Sequence, residues 1–228
     1  MSKGLFITAT GTDVGKTYIT ALITKALCDE GRQAGYYKAV LSGAELIGDT
    51  MVAGDAKVVF DCAKLDKDPN AYVSYCLTTP VSPHLASNLE NVRIDLDTIY
   101  NDFNRIKSEF DYLTVEGCGG IICPIRLDDE VIMLTDIIQK LGLDVLIVAP
   151  SGLGTINYSV LTVDYLKQKG IGIRGIILNN YDENSFLHRD NKKVIERLTG
   201  IEIMAVVEKG ANRLTMPMDK LCSLYKEI

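Results

Sequence analysis

The chain has 228 residues, 47% of them hydrophobic, which is long enough to bury one sizeable α/β core, and a single domain over residues 1–228 is expected. Its 24 Lys and Arg stand against 30 Asp and Glu, for a formal net charge of −6, and the acids are dispersed, which argues against nucleic acid as a partner because that would need a basic face. No run approaches the roughly 18–20 uninterrupted apolar residues of a membrane span, and the apolar start Leu5-Phe6-Ile7 is too short for a signal peptide, so a soluble cytoplasmic protein with no membrane partner is expected.

Apolar, β-branched runs of strand length alternate with helical patterns, the signature of parallel βα units. The predicted fold is α/β: a mostly parallel central sheet with helices on both faces, similar to the P-loop NTPases. Leu5–Thr10 is the first strand. Lys16–Glu30 places Ile19, Leu22, Ile23, Ala26 and Leu27 at helical spacing and stops near Gly31. Gly35–Val40 is the second strand. From Ser42 to Pro83 the pattern is harder to read, with a helix over Asp55–Ala63 and then the Pro- and Thr-rich loop Thr78–Pro83. Strands follow at Tyr112–Glu116, Asp144–Pro150, Arg174–Asn179 and Glu202–Val207, with helices over Thr155–Lys169 and Asn191–Leu198. Val145-Leu146-Ile147-Val148 is apolar on both sides, as suits a strand covered on both faces.

Between the first strand and the first helix stands Thr8-Ala9-Thr10-Gly11-Thr12-Asp13-Val14-Gly15-Lys16-Thr17, where a phosphate-binding P-loop belongs. In such a loop backbone N–H groups and the helix N-terminus wrap phosphates, Lys16 pairs with the β and γ oxygens, and the Thr17 hydroxyl holds Mg²⁺. Thr10 occupies the place of the usual first glycine, so the loop is lengthened or reshaped over residues 9–12.

A P-loop also needs an acidic partner for Mg²⁺, usually at the end of a neighbouring apolar strand. Glu116 meets that description, and Gly117-Cys118-Gly119-Gly120 after it lets backbone approach a ligand closely. Asp55 opens the predicted helix and reads equally as a metal ligand or as a helix N-cap. Lys38 closes the predicted second strand, so it is either a solvated strand end or, with Ser42, part of a crevice at the carboxyl edge of the sheet. The six cysteines include no Cys-x-x-Cys pair, and the two histidines, His84 and His188, do not complete a zinc site. The cysteines are expected to be small buried hydrophobes.

The ordered set Thr12-Asp13-Val14-Gly15-Lys16-Thr17, Lys38-x-x-x-Ser42-Gly43, Asp55, Pro80-Val81-Ser82-Pro83-His84-Leu85-Ala86, Val115-Glu116-Gly117-Cys118-Gly119-Gly120 and Leu153-Gly154-Thr155-Ile156-Asn157 resembles the dethiobiotin synthetases over nearly the whole chain. The resemblance implies that Thr17, Asp55 and Glu116 bind Mg²⁺, and that Asp13, Val14, Gly15, Lys16, Thr17 and Tyr18 bind the triphosphate of ATP. It further implies nucleotide contacts from Gly117, Cys118 and Gly119, and adenine contacts from Asn179, with Asn180 beside it, and from Glu208, Lys209 and Gly210. Thr12, Ser42, Gly119 and the loop Pro80, Val81, Ser82 would border 7,8-diaminononanoate. Gly154, Thr155 and Asn157 would reach the substrate of the facing subunit in a homodimer. Two positions depart from the family: alanine usually stands where this chain has Cys118, and a proline is common in the segment that here reads Val206-Val207-Glu208-Lys209-Gly210, so relaxed base selectivity is expected.

The implied reaction adds CO₂ to one amine, passes the carbamate to the γ-phosphate of ATP, and closes the ureido ring through a carbamic-phosphoric anhydride. Lys16 and Lys38 are its catalytic residues, acting by charge and position with no protein nucleophile. Partitioning and septum-positioning ATPases are one rival, but they carry a second lysine early in the loop, where this chain has Gly11. The synthetase half of a cobyrinate amidase is another, but it would need a glutaminase domain that 228 residues do not accommodate.

Overall fold

The computed structural model describes residues 2–48 and 50–228. In chain order the elements are β1 (Lys3–Ala9), α1 (Lys16–Asp29), β2 (Ala34–Ser42), β3 (Glu45–Ile47), β4 (Thr50–Val52), α2 (Gly54–Ala63), β5 (Val73–Leu77), α3 (Pro83–Leu89), α4 (Leu96–Lys107), β6 (Tyr112–Glu116), β7 (Pro124–Leu127), β8 (Val131–Met133), α5 (Leu134–Leu141), β9 (Val145–Pro150), α6 (Thr155–Gln168), β10 (Ile173–Tyr181), α7 (Phe186–Thr199), β11 (Ile203–Glu208), α8 (Met218–Ser223) and β12 (Lys226–Glu227).

One sheet organises them, in the order β11-β10-β9-β1-β6-β2-β5. Every pairing along that path is parallel, and β12 adds antiparallel to the start of β1. The six strands expected from the sequence are all present. The side chains of β1 alternate between two apolar layers: Leu5, Ile7 and Ala9 pack with α1 and α8, whereas Phe6 points to the opposite core. β9 does the same with Leu146 and Val148 against Val145, Ile147 and Ala149. A strand with a period of two and both faces covered must be apolar at every position, which is why these runs read as continuous.

Some elements escaped the sequence pattern. The edge strand β5 is Val-Ser-Tyr-Cys-Leu and only half-buried until Leu77, so it carries little apolar signal. Helix α4 was legible in principle: Asp95 caps it by accepting from the Thr98 N–H at 2.8 Å, and Ile99, Phe103 and Ile106 form its buried stripe. Helix α7 begins earlier than the predicted Asn191, because Ser185 caps it by accepting from the His188 N–H.

Gly35 sets how closely the sheet and its connections approach. A Cβ there would lie 2.4–2.5 Å from ring carbons of Phe110, which is 6% exposed. Gly35→Ala is therefore expected to cost about 1–3 kcal/mol through overpacking, read as a lower urea midpoint with unchanged slope; an unchanged midpoint would show that Phe110 yields freely.

Candidate functional site

All the parallel strands of the sheet end on one edge, and the expected site residues lie along it or in the loops that follow. A cavity of about 610 Å³ is lined by Thr12, Asp13, Gly15, Lys16, Thr17, Tyr18, Lys38, Ser42, Asp55, Cys118 and Gly119. A second of about 630 Å³ shares Thr12, Asp13, Ser42, Cys118 and Gly119 and continues to Pro80, Val81 and Ser82. The structure thus brings residues of the loop after β1 and of the Pro80–Ser82 loop to one crevice.

The loop after β1 turns sharply at Asp13 (φ 59°) and Gly15 (φ 95°). Gly15 is required twice over: its φ lies in the left-handed region, and a Cβ would fall 2.0 Å from the Asn179 amide nitrogen. Asn179 is buried beneath the loop, its Nδ2 donating to the Val14 carbonyl at 2.9 Å, while its Oδ1 has no partner among the described residues. Helix α1 starts without a side-chain cap, so the N–H groups of its first turn have no side-chain acceptor among the described residues, a ready anion site. The Lys16 ammonium stands beside them and makes no ion pair among the described residues. Desolvation and the nearby Lys38 charge hold its pKa below the usual lysine value.

Lys38 differs. β2 does not end there but continues to Ser42, so the solvated strand end considered above is corrected: Lys38 is mid-strand, 3% exposed, and in register with Glu116 of β6. Its Nζ donates to Glu116 Oε1 at 2.8 Å and to Asp55 Oδ2 at 2.5 Å. Burial alone would depress its pKa, but the two carboxylates raise it well above the ordinary value. Asp55 is not the N-cap of α2, since Ala53 holds that position. Despite partial desolvation the Asp55 carboxyl is held below its usual range by Lys38. Thr17 Oγ1 donates to Glu116 Oε1 at 2.7 Å. Two carboxylates therefore converge on one ammonium and the Thr17 hydroxyl joins one of them, a set of hard oxygen donors gathered in one place.

Sequence reasoning missed Tyr36, whose hydroxyl donates to Glu116 Oε2 at 3.1 Å. Two residues before Lys38 on a strand, it shares that residue's face, and this spacing was the available signal. The cysteine expectation holds in part: Cys118 and Cys123 are buried, and Cys28, Cys62, Cys76 and Cys222 are half-buried.

The remaining expected residues lie outside these cavities. Gly117 is buried against Phe6. Gly154 and Asn157 are exposed at the start of α6, and Thr155 is buried there; Asn191 of α7 fixes the preceding turn by donating to the Ser151 and Gly152 carbonyls at 2.8 and 3.1 Å. Asn180 (φ 55°) is exposed after Asn179, and Glu208, Lys209 and Gly210 are exposed at the end of β11.

A family model described as an AAA domain matches residues 3–213. The ATP-dependent dethiobiotin synthetase BioD of Clostridium botulinum (strain Alaska E43 / Type E3) is 52% identical over 99% of this chain and 99% of its own length. The chain belongs to the dethiobiotin synthetase family. A second dethiobiotin synthetase, from Clostridium botulinum (strain Loch Maree / Type A3), is 48% identical over the full length of both chains. Among solved structures the MinC:MinD cell division protein complex of Aquifex aeolicus aligns with a TM-score of 0.58 at 15% identity, covering 98% of this chain and 86% of that one. A ParA family ATPase from Chlorobium tepidum aligns at 0.56 with 17% identity, covering 98% and 89%. At such identities the likeness is one of fold, and the synthetase family shares its sheet with those ATPases.

Lys38 is the counter-ion of a Glu116 side chain with no solvent exposure. Lys38→Ala should therefore destabilise the folded chain by about 3–5 kcal/mol, the cost of leaving a buried charge unpaired, whereas Lys38→Ala/Glu116→Gln should recover most of the loss. Urea unfolding of the two variants checks this, and equal destabilisation would mean that Glu116 is not the group Lys38 neutralises.

Proposed function

We infer that this chain, working as one catalytic unit over residues 1–228, carboxylates 7,8-diaminononanoate with CO₂ and closes it to dethiobiotin at the expense of ATP. The supporting observation is that the phosphate loop, with Lys16, opens into the same crevice as Thr12, Ser42 and the Pro80–Ser82 loop. A triphosphate on the first turn of α1 therefore presents its terminal phosphate to a substrate lying against those residues.

Asp13 to Tyr18 hold the phosphates through backbone N–H groups and the Lys16 charge. Thr17, Asp55 and Glu116 would hold Mg²⁺, which when bound neutralises charge on the β- and γ-phosphates. Asn179 anchors the loop through Val14, and its unpartnered Oδ1 suits the exocyclic amine of adenine; Asn180 and Glu208 to Gly210 lie further along the same edge and complete the base side. Cys118 and Gly119 form the wall that faces the phosphates, with Gly117 buried behind them against Phe6. Lys38 and Lys16 stabilise the carbamate formed from CO₂ and the phosphoryl group in transfer, so the chain needs no nucleophile of its own.

Gly154, Thr155 and Asn157 do not line the crevice of their own chain, and the α6 surface around them exposes Leu153, Tyr158 and Leu161. A homodimer in which this segment enters the partner's crevice accounts for both facts. No helix among the described residues is long and apolar enough to cross a membrane, in keeping with a cytoplasmic biosynthetic enzyme.

Incubation with ATP, Mg²⁺, bicarbonate and 7,8-diaminononanoate should yield dethiobiotin, ADP and phosphate in equal amounts by mass spectrometry and phosphate release; ATP turnover that ignores the diamine would reject the assignment. Thr17→Val and Asn157→Ala, each nearly inactive, should complement when mixed. Half of the randomly exchanged dimers would be hybrids with one intact site of two, giving about one quarter of wild-type activity. No recovery after verified subunit exchange would place Asn157 in its own chain's site or outside any site.

A further inference from the structure

Cys118 and Cys123 lie side by side in the wall of the crevice, and nothing in the proposed reaction uses their thiols. Their sulfurs are 3.9 Å apart, both line the substrate-side cavity, and Cys118 also lines the phosphate-side cavity. A disulfide needs about 2.05 Å between sulfurs, so the two sulfurs must approach by a little under 2 Å to form one.

The ends of that segment are held. Before Cys118, the Gly117 N–H donates to the Ile7 carbonyl of β1 at 2.9 Å, and a Cβ on Gly117 would meet Phe6 at 2.8 Å. At the other end the Cys123 carbonyl accepts from the Leu134 N–H at 2.9 Å. Backbone adjustment on closure therefore falls on Gly119-Gly120-Ile121-Ile122, which belongs to no helix or strand. This segment rests on the phosphate loop: a Cβ built on Gly120 would sit 3.3 Å from the Gly11 Cα and 3.4 Å from its nitrogen. The two backbones thus run close enough that a side chain between them would be crowded, and a shift of one bears on the other.

We propose that Cys118 and Cys123 form an oxidation site that a peroxide closes to a disulfide, and that the closed loop distorts the phosphate loop and weakens nucleotide binding. This rests on the nucleotide reading of that loop given above. In the first step the Cys118 sulfur attacks the peroxide, the O–O bond breaks, and one water leaves with a sulfenic acid at Cys118. In the second the Cys123 sulfur attacks, the S–O bond breaks, the S–S bond forms, and a second water leaves. The peroxide takes up the two electrons, and both thiol protons end in water. A thiol reductant reverses the change.

The test uses the full chain, reduced, freed of reductant, and treated with hydrogen peroxide before alkylation with iodoacetamide and digestion with trypsin. The tryptic peptide Ser108–Arg126 contains Cys118 and Cys123 and no other cysteine. It should appear two hydrogens lighter and unalkylated, while the Kd for a fluorescent ATP analogue rises about tenfold or more. Dithiothreitol should restore both. In Cys123→Ala the analogue Kd after peroxide should stay within about twofold of that variant's own untreated value. A peptide bearing two alkyl groups, a closed peptide with unchanged affinity, or a full affinity loss in Cys123→Ala would each overturn the proposal. Failure of the untreated chain to bind the analogue would instead remove the nucleotide reading and the inhibition with it, and the peptide mass would still decide whether the pair closes.

Discussion

Everything at the carboxyl edge of this sheet depends on the register of β2 against β6. Parallel pairing sets Lys38 beside Glu116, and the pairing of β6 with β1 sets Ile7 beside Glu116 from the other side. Glu116 is thus fixed laterally by two backbones before any side chain contacts it. A one-residue slip would turn Lys38 to the opposite face and leave a fully buried carboxylate without a counter-ion. The chemistry of the crevice and the stability of the central strands are therefore the same constraint.

The two lysines show how environment divides one residue type into two tasks. Lys38 is enclosed, holds two carboxylates, and keeps its charge far above neutral pH. Lys16 sits at the mouth of the helix without an ion-pair partner among the described residues, and its charge is easier to remove because burial and Lys38 both oppose it. A desolvated cation in that state gains from an arriving anion. Tyr36 completes the inner arrangement by occupying the second oxygen of Glu116, leaving the first to Thr17 and Lys38.

The wall opposite the lysines is built from close backbone approach. Gly120 lies on Gly11, and Gly15 lies on Asn179, so the phosphate loop is gripped from the β6 side and from the β10 side. Such a loop transmits small displacements of its neighbours because tightly packed groups have few alternative arrangements.

Much of this was legible in the chain itself. Apolar runs such as Val145–Val148 announced strands covered on both faces, and Gly15-Lys16-Thr17 at a strand-to-helix junction announced a phosphate site, because both signals are local consequences of backbone geometry. Glu116 at the end of an apolar strand was likewise readable as an acid near that site. Lys38 was not: a lysine near a strand terminus is compatible with solvent, and only the pairing with β6 buried it against Glu116. Asp55 could have capped its helix, and the approach of α2 to β2 sent its carboxylate to Lys38 instead. Tyr36, the Cys118–Cys123 contact and the seat of Asn179 beneath Val14 are separated from their meaning in the same way. Sequence by itself determined the elements and the phosphate loop, since propensity, periodicity and turn chemistry act over a few residues; the tertiary structure alone decided which charges met, because the partners, as far apart as Lys38 and Glu116, come together only when the strands pair.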